Sequence, residues 1–302
     1  MVQIERNVKL EQFTNTRTGG VVNNMYFPTN LEQLIDLVKT LKSNGSKFEV
    51  LGDMTNVAVA SGQLEFDVIN MSEYQDSEPK IINQRELVVG AGYKMMDLAY
   101  WSVKNRLKGL AWMEGIPGTV GAGIFMNAGF LPGQDIQTYL LDVTFLNIET
   151  MQVETLKNSD LKFRYRYSTL QEMDVIILEG RFLMTKLPNT IKGHLKVIKQ
   201  KNLLRKYHKR RSKNQPLELP SAGTTFVPPT PWHVGGMLRE LNLVGHKIGG
   251  AQISEKSPGF IVGAGEMTGE DYRDLVCFVQ RRINDEYGVQ LVPEVRLLGF
   301  RE

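Results

Sequence analysis

The feature that most constrains this chain is a glycine-rich segment near the middle, Gly115–Gly129, which reads GIPGTVGAGIFMNAG. It holds five glycines in fifteen residues. Glycine permits backbone conformations that other residues avoid, and it leaves amide N–H groups accessible, as an anion-binding loop requires. The spacing matches neither G-x-G-x-x-G nor G-x-x-x-x-G-K-[ST]. The segment is therefore either a phosphate-binding loop or a structural turn, and its spacing alone favours neither.

A loop that comes earlier in the chain, Gly52-Asp53-Met54-Thr55-Asn56, is a weaker candidate for binding an anion, and we call it the first loop. Thr55 and Asn56 offer side-chain hydrogen bonds, whereas Asp53 adds a negative charge that a phosphate would not favour.

Periodicity and turn residues outline the secondary structure. Apolar residues at helical spacing predict a helix over Asn30–Leu41 with Asn30 as its N-cap, and a second helix over Thr268–Glu286. The apolar stripe of the second helix consists of Tyr272, Leu275, Val276, Val279 and Ile283. Runs rich in β-branched residues predict strands over 47–51, 57–60, 86–92, 140–148, 175–183 and 290–298. We place Cys277 on the apolar side of the second helix and expect it to be buried.

Composition changes along the chain predict three domains, residues 1–71, 72–188 and 189–302. The third begins with Ile191–Lys213, which holds ten Lys and Arg residues and no acidic residue. A solvated helix is the interpretation that we favour for this stretch, because charge runs usually decorate surfaces. A positive approach path for an anionic substrate is the alternative.

Composition also excludes several classes of protein. The single cysteine excludes an internal disulfide framework, and the four histidines show no metal-ligand spacing. A net charge of +3 argues against a nucleic-acid partner. No stretch is long and apolar enough for a signal peptide or a membrane span. We expect a cytoplasmic monomer that holds no metal and binds no membrane.

Six motifs occur in a fixed order and together resemble one family. They are GIPGTVGAGIFMNAG, FRYRYS (Phe163–Ser168), QPLELPSAGTTF (Gln215–Phe226), HKIGGAQISEK (His246–Lys256), GFIVGAG (Gly259–Gly265) and VPEVRLLG (Val292–Gly299). The chain resembles the UDP-N-acetylenolpyruvoylglucosamine reductases, in their shorter subtype, over nearly its whole length.

The resemblance implies an α+β fold whose first two domains form an FAD-binding, flavin-clasping module of the PCMH type. The third domain is then an α+β substrate-binding domain. The implied activity is reduction of UDP-N-acetylglucosamine enolpyruvate to UDP-N-acetylmuramate, a precursor of peptidoglycan, with FAD and NADPH as cofactors and a UDP-sugar as the small-molecule partner.

The resemblance also assigns site residues. The catalytic positions correspond to Arg166, Thr224 and Glu294, which would stabilise the enolate, donate a proton, and polarise or protonate the intermediate. The implied cofactor-binding residues are Gly52, Thr55, Asn56, Gly115, Ile116, Pro117, Gly118, Thr119, Gly121, Asn127, Ala128 and Gly129.

Several positions depart from the family pattern. Met54 stands where the pattern has glycine, Thr224 where it has serine, and Met237 where it has lysine; Ser257 and Gly263 replace a histidine and an asparagine. These departures keep two alternatives open. One is a catalytically impaired or non-catalytic paralogue that binds nucleotide-sugar or flavin, and the other is an oxidase or dehydrogenase acting on a different substrate.

Overall fold

The structure is a computed structural model, and it describes residues 2–74, 78–83 and 85–300. Its α-helices are α1 (Leu31–Ser43), α2 (Met95–Lys104), α3 (Val120–Phe125), α4 (Ile136–Tyr139), α5 (Ile191–Asn214), α6 (Val234–Glu240) and α7 (Gly269–Tyr287). Its strands are β1 (Gln3–Lys9), β2 (Val21–Phe27), β3 (Phe48–Leu51), β4 (Val57–Val59), β5 (Asp67–Asn70), β6 (Lys80–Asn83), β7 (Glu86–Gly90), β8 (Leu107–Lys108), β9 (Gly129–Leu131), β10 (Gln134–Asp135), β11 (Leu140–Asn147), β12 (Val153–Lys157), β13 (Val175–Leu183), β14 (Thr185–Lys186), β15 (Ser221–Thr224), β16 (Lys247–Ile248), β17 (Ala251–Ile253), β18 (Phe260–Gly263) and β19 (Arg296–Leu298).

The chain forms two compact units, each assembled from separate stretches of sequence. Unit 1 comprises Met1–Ile4, Tyr26–Asp53 and Val68–Arg210, and unit 2 comprises Glu5–Met25, Met54–Asp67 and Arg211–Glu302. The three predicted domains are contiguous stretches of sequence, and they remain a prediction.

Unit 1 is built on a five-stranded sheet of order β12-β11-β13-β7-β6, in which the paired strands run antiparallel. The predicted first helix is confirmed as α1, because the Asn30 side chain accepts a hydrogen bond from the Gln33 N–H at 3.0 Å. Side chains of α1, α2, α3 and the sheet share one hydrophobic core, which includes Leu34, Val38, Leu98, Ile124, Phe145 and Phe182. Apolar burial on one face of each element therefore fixes the region around the glycine-rich segment.

Unit 2 contains a sheet of order β15-β18-β17-β16 and the long helix α7. The predicted stripe of α7 is confirmed: Tyr272, Leu275, Val276, Val279 and Ile283 are all buried in one core. A capping box starts this helix, since the Thr268 hydroxyl accepts from the Asp271 N–H at 3.1 Å while the Asp271 carboxylate accepts from the Thr268 N–H at 2.9 Å.

Two predictions about this region are wrong. The strand expected over 290–298 shrinks to β19, Arg296–Leu298, which pairs in parallel with β4. Pro293 lacks a backbone N–H, and the chain before β19 makes only an isolated bridge, between Pro293 and Phe226. Cys277 is exposed rather than buried. It follows Leu275 by two positions, about 200° around a helix, which places it opposite the apolar stripe.

The α+β fold class is as predicted. Helix α5 covers the basic stretch, and most of its side chains are exposed, as a solvated helix requires. Across residues 2–74, 78–83 and 85–300, no helix has both the length and the apolar content needed to cross a membrane.

Candidate functional site

The glycine-rich segment lies in unit 1 as a turn followed by the short helix α3. Gly115 and Gly118 have φ values of +71° and +104°. The Thr119 hydroxyl caps α3 by accepting from the Ala122 N–H at 3.4 Å. Among the described residues, the amide N–H groups of Gly118 and Thr119 donate to no protein acceptor. Two adjacent amides of this kind can serve an anionic ligand.

Glycine is required at two positions because other atoms approach the backbone closely. A Cβ atom on Gly52 would lie 2.6 Å from the Thr119 Oγ1 atom, so Gly52 allows the first loop to lie against the glycine-rich segment within unit 1. A Cβ on Gly121 would lie 2.9 Å from the Cβ of Ala91, and the Gly121 N–H donates to the Ala91 carbonyl at 2.9 Å. The two candidate loops therefore meet at Gly52, and the glycine-rich segment packs against Ala91 at Gly121; neither position has room for a side chain.

The end of the glycine-rich segment positions the predicted catalytic arginine. Asn127 is buried, and its side chain donates to the Arg164 carbonyl at 2.9 Å and accepts from the Gln137 N–H at 3.0 Å. The Gly129 carbonyl accepts from Nη2 of Arg166 at 3.1 Å. Arg166 itself has φ +52°, and its guanidinium lies 4.7 Å from the centre of the Tyr165 ring. Unit 1 thus brings Arg166 to the predicted cofactor-binding residues, and the side chain of Asn127 acts here as a brace for that backbone.

Asp53, which follows Gly52, has a countercharge that the sequence analysis did not identify. Its carboxylate lies 4.0 Å from the Lys94 ammonium. Burial raises the pKa of Asp53, and the positive charge of Lys94 offsets part of that rise. The negative charge beside the first loop is therefore partly neutralised within unit 1.

The rest of the first loop belongs to unit 2. Met54 is 4% exposed and has φ +51°, the left-handed conformation for which glycine is the usual residue. Met54 therefore has a backbone conformation that favours glycine. The Asn56 side chain donates to the Glu294 carbonyl at 3.0 Å, and the Asn56 carbonyl accepts from the Arg296 N–H at 3.1 Å. Among the described residues, the amides of Thr55 and Asn56 have no protein acceptor.

Thr225, which follows Thr224 in the sequence, links Thr224 to Glu294 within unit 2. The Glu294 N–H donates to the Thr225 carbonyl at 2.8 Å, and Thr224 is paired with Phe260 at the end of β15. The buried Thr225 hydroxyl accepts from the Ile261 N–H at 3.1 Å, which holds this strand end in place.

The charge of Glu294 affects the pKa of a buried tyrosine in unit 2. Burial raises the pKa of Tyr272, and the carboxylate of Glu294 contributes to that rise. The Tyr272 hydroxyl lies 3.4 Å from that of Thr225. The sequence did not reveal the roles of Thr225 and Lys94, because their partners, Glu294 and Asp53, lie far away along the chain. The one local signal was the repeated threonine in Ala222-Gly223-Thr224-Thr225.

The structure shows the surroundings of two further departures from the family pattern, Met237 and Gly263. Met237 is 3% exposed within the core of unit 2, where an apolar side chain packs and a lysine would need a partner. A Cβ on Gly263 would lie 3.4 Å from Pro220, so this strand position has limited room.

Comparison with known proteins defines first the class and then the family. Residues 23–148 match the model of an FAD binding domain. The chain is therefore an α+β protein with a flavin-binding module, as the two glycine-containing loops of this region suggest. Residues 215–298 match the model described as UDP-N-acetylenolpyruvoylglucosamine reductase, C-terminal domain.

Relatives of known name span the whole chain. The UDP-N-acetylenolpyruvoylglucosamine reductase of Lactobacillus acidophilus is 33% identical over 298 residues, 99% of this chain and 96% of that protein. That of Latilactobacillus sakei is 34% identical over 99% and 94% of the two chains. The crystal structure of the Thermus caldophilus reductase superposes with a TM-score of 0.80 at 25% identity, covering 99% of this chain and 100% of that one. This chain belongs to the UDP-N-acetylenolpyruvoylglucosamine reductase family.

Proposed function

We propose that this protein is a working reductase of its family: it reduces UDP-N-acetylglucosamine enolpyruvate to UDP-N-acetylmuramate with FAD and NADPH as cofactors. The observation that carries the proposal is the match to named reductases along 99% of the chain. The motifs that resemble the family run in order from the glycine-rich segment to VPEVRLLG.

The residues present fit FAD. The free amides of Gly118 and Thr119 suit the diphosphate, and Gly52 permits the close loop contact that shapes this part of unit 1. Lys94 reduces the repulsion that Asp53 would exert on a diphosphate. In unit 2, Thr55 and Asn56 likewise have amides without protein acceptors among the described residues. We infer that the residues of unit 1 bind the diphosphate, and the remaining cofactor-binding residues are those assigned from the resemblance.

The catalytic roles follow from the charge that develops during the reaction. FAD held by these residues and reduced by NADPH would supply the hydride that adds to the methylene carbon of the enolpyruvyl group. The π electrons then move toward the conjugated carboxylate, where a guanidinium such as that of Arg166 stabilises negative charge through paired N–H donors. The hydroxyl of Thr224 donates a proton to the adjacent carbon, which completes the conversion of the double bond to a single bond. Glu294 helps to polarise or protonate the intermediate.

A spectroscopic experiment tests the proposal. We expect the purified protein to show flavin absorbance, which NADPH bleaches without oxygen and the enolpyruvyl substrate then restores. UDP-N-acetylglucosamine is the matched control, since it lacks the alkene and should not restore the colour. Protein that binds FAD but is not reoxidised by the substrate would contradict the proposal and support a non-catalytic paralogue. Reoxidation by another electron acceptor alone would support an oxidase or dehydrogenase.

We also propose that the protein works as a cytoplasmic monomer in three domains. The family's nucleotide-sugar substrate supports the location. Light scattering during gel filtration checks the oligomeric state: a mass about twice that of the chain would contradict the monomer. Limited proteolysis near residues 71 and 188 checks the domain boundaries.

A further inference from the structure

A buried glutamate precedes the glycine-rich segment. The side chain of Glu114 is 1% exposed. Its Oε1 atom accepts from the Tyr100 hydroxyl at 3.4 Å and lies 3.0 Å from Nδ1 of His208, on α5. Its Oε2 atom is buried and has no hydrogen-bond partner among the described residues. A buried carboxylate is costly unless it is paired, so the position of Glu114 depends on these two contacts.

The same helix contacts the other end of the segment. Phe130 follows Gly129, and the Tyr207 ring meets it edge-on with 5.5 Å between ring centres. The Arg210 guanidinium lies 5.4 Å from the centre of the Phe130 ring. One turn of α5 thus touches the residue before Gly115 and the residue after Gly129, all within unit 1. A segment rich in glycine has many accessible conformations, and fixing both ends reduces them.

We propose that Glu114 and His208 are positioning residues that hold the glycine-rich segment in its FAD-binding conformation. The inference rests on the proposed function, because it concerns the site of FAD. The pair acts through the backbone: Glu114 is joined directly to Gly115, and Gly118 and Thr119 follow four and five positions after Glu114.

The pair couples the glycine-rich segment to the charge at position 208. The His208 side chain is 67% exposed, so a substitution there perturbs the interior less than a change to Glu114 would. A positively charged side chain at position 208 gives the buried carboxylate a countercharge, whereas a neutral one leaves it with hydrogen bonds alone. The Tyr100 hydroxyl donates to the same carboxylate, and burial and the charge of Glu114 raise the pKa of Tyr100. FAD binding should therefore be tighter with a cation at position 208 than with a neutral amide.

The test measures the dissociation constant of FAD by flavin fluorescence on protein stripped of cofactor. We expect His208→Gln, which cannot carry a positive charge, to weaken binding about tenfold. His208→Lys carries a positive charge, so it should bind FAD within a fewfold of the wild type and restore what His208→Gln loses. The matched control is His194→Gln, an exposed histidine on the same helix.

Glu114→Gln and the double variant complete a cycle. Each single change should weaken FAD binding, and the double variant should bind no more weakly than either, because the pair acts as one unit. Equal FAD affinity in wild type and His208→Gln, or an equal loss in His208→Gln and His208→Lys, would overturn the positioning role of the pair while leaving the proposed function intact. Wild-type protein that binds no FAD would instead overturn the proposed function. An independent thermal denaturation shows whether Glu114→Gln folds, and His208→Gln carries the test if it does not.

Discussion

The glycine-rich segment of unit 1 and the junction of Thr224 with Glu294 in unit 2 are built on opposite principles. In the first, backbone amides form the candidate site, and Gly52 and Gly121 leave no room for even a methyl group. In the second, side chains form the candidate site, and Thr224 carries a methyl group that serine lacks. The second region can vary where the first cannot.

Most departures from the family pattern lie in unit 2. Thr224, Met237, Ser257 and Gly263 are all in that unit, whereas those of the first loop are divided, with Asp53 in unit 1 and Met54 in unit 2. A side chain that acts through its own functional group can be exchanged for one with the same group, as threonine for serine, whereas a site made of backbone depends on the absence of a Cβ.

The largest expected effect comes from changing Thr224, and it distinguishes this residue from the adjacent Thr225 in unit 2. Thr224→Ala removes the proposed proton donor, so reoxidation of the reduced flavin by substrate should slow about 100-fold or more, with reduction by NADPH unchanged. Thr224→Ser retains the hydroxyl and should keep the rate within a fewfold. Rapid-mixing absorbance measurements of each half-reaction check both.

Thr225→Val provides the control. Its hydroxyl accepts from the Ile261 N–H in the interior, so its loss should destabilise the protein by about 1–3 kcal/mol without a selective effect on either half-reaction. If Thr224→Ala slows both half-reactions equally, the hydroxyl is not the proton donor, and the proposed role of side chains in unit 2 is wrong.

An intermediate effect compares one helical glycine from each unit. Gly121→Ala in α3 places a Cβ 2.9 Å from that of Ala91, so we expect destabilisation of about 1–3 kcal/mol and weaker FAD binding. Gly236→Ala in α6 meets nothing within 4 Å, so it should stabilise by about 0.5–1 kcal/mol through the higher helix propensity of alanine. Thermal unfolding with and without FAD measures both; a stabilised Gly121→Ala protein would remove the contrast between the regions.

Local sequence patterns predicted the helices and strands of both units better than they predicted the contacts between distant residues. Helices α1 and α7 were predictable because their caps and apolar stripes lie within a few residues of one another. The burial of Glu114 was not, since acidic side chains are ordinarily exposed and its partner His208 lies 94 positions away. The short length of β19 had a local signal in Pro293 that the apolar run obscured.

The candidate site divides in the same way. Motif resemblance picked out Arg166, Thr224 and Glu294, but the residues that support them came only from the structure: Gly129 bonds Arg166, and Thr225 bonds Glu294. Such contacts depend on strand register and loop path, which a single sequence specifies only through the whole fold.

The smallest expected effect concerns Asp53, the one charged residue at the edge of the first loop. Because burial raises its pKa above the unfolded value, the fold prefers the protonated form, and this contribution to stability is lost as the pH rises through the raised pKa. Asp53→Asn should therefore leave stability unchanged in acid and raise it slightly at neutral pH. It should also tighten FAD binding about two- to fivefold at neutral pH, the size expected of one partly screened charge.

Lys94→Met should act in the opposite direction. It removes the positive charge that lowers the pKa of Asp53, so the carboxylate becomes costlier at neutral pH and repels the diphosphate more strongly. Fluorescence titration with FAD and urea unfolding at acid and neutral pH measure both variants. Weaker FAD binding in Asp53→Asn would mean that this carboxylate accepts a hydrogen bond from the cofactor, and the first loop would then bind through a side chain as well as through backbone amides.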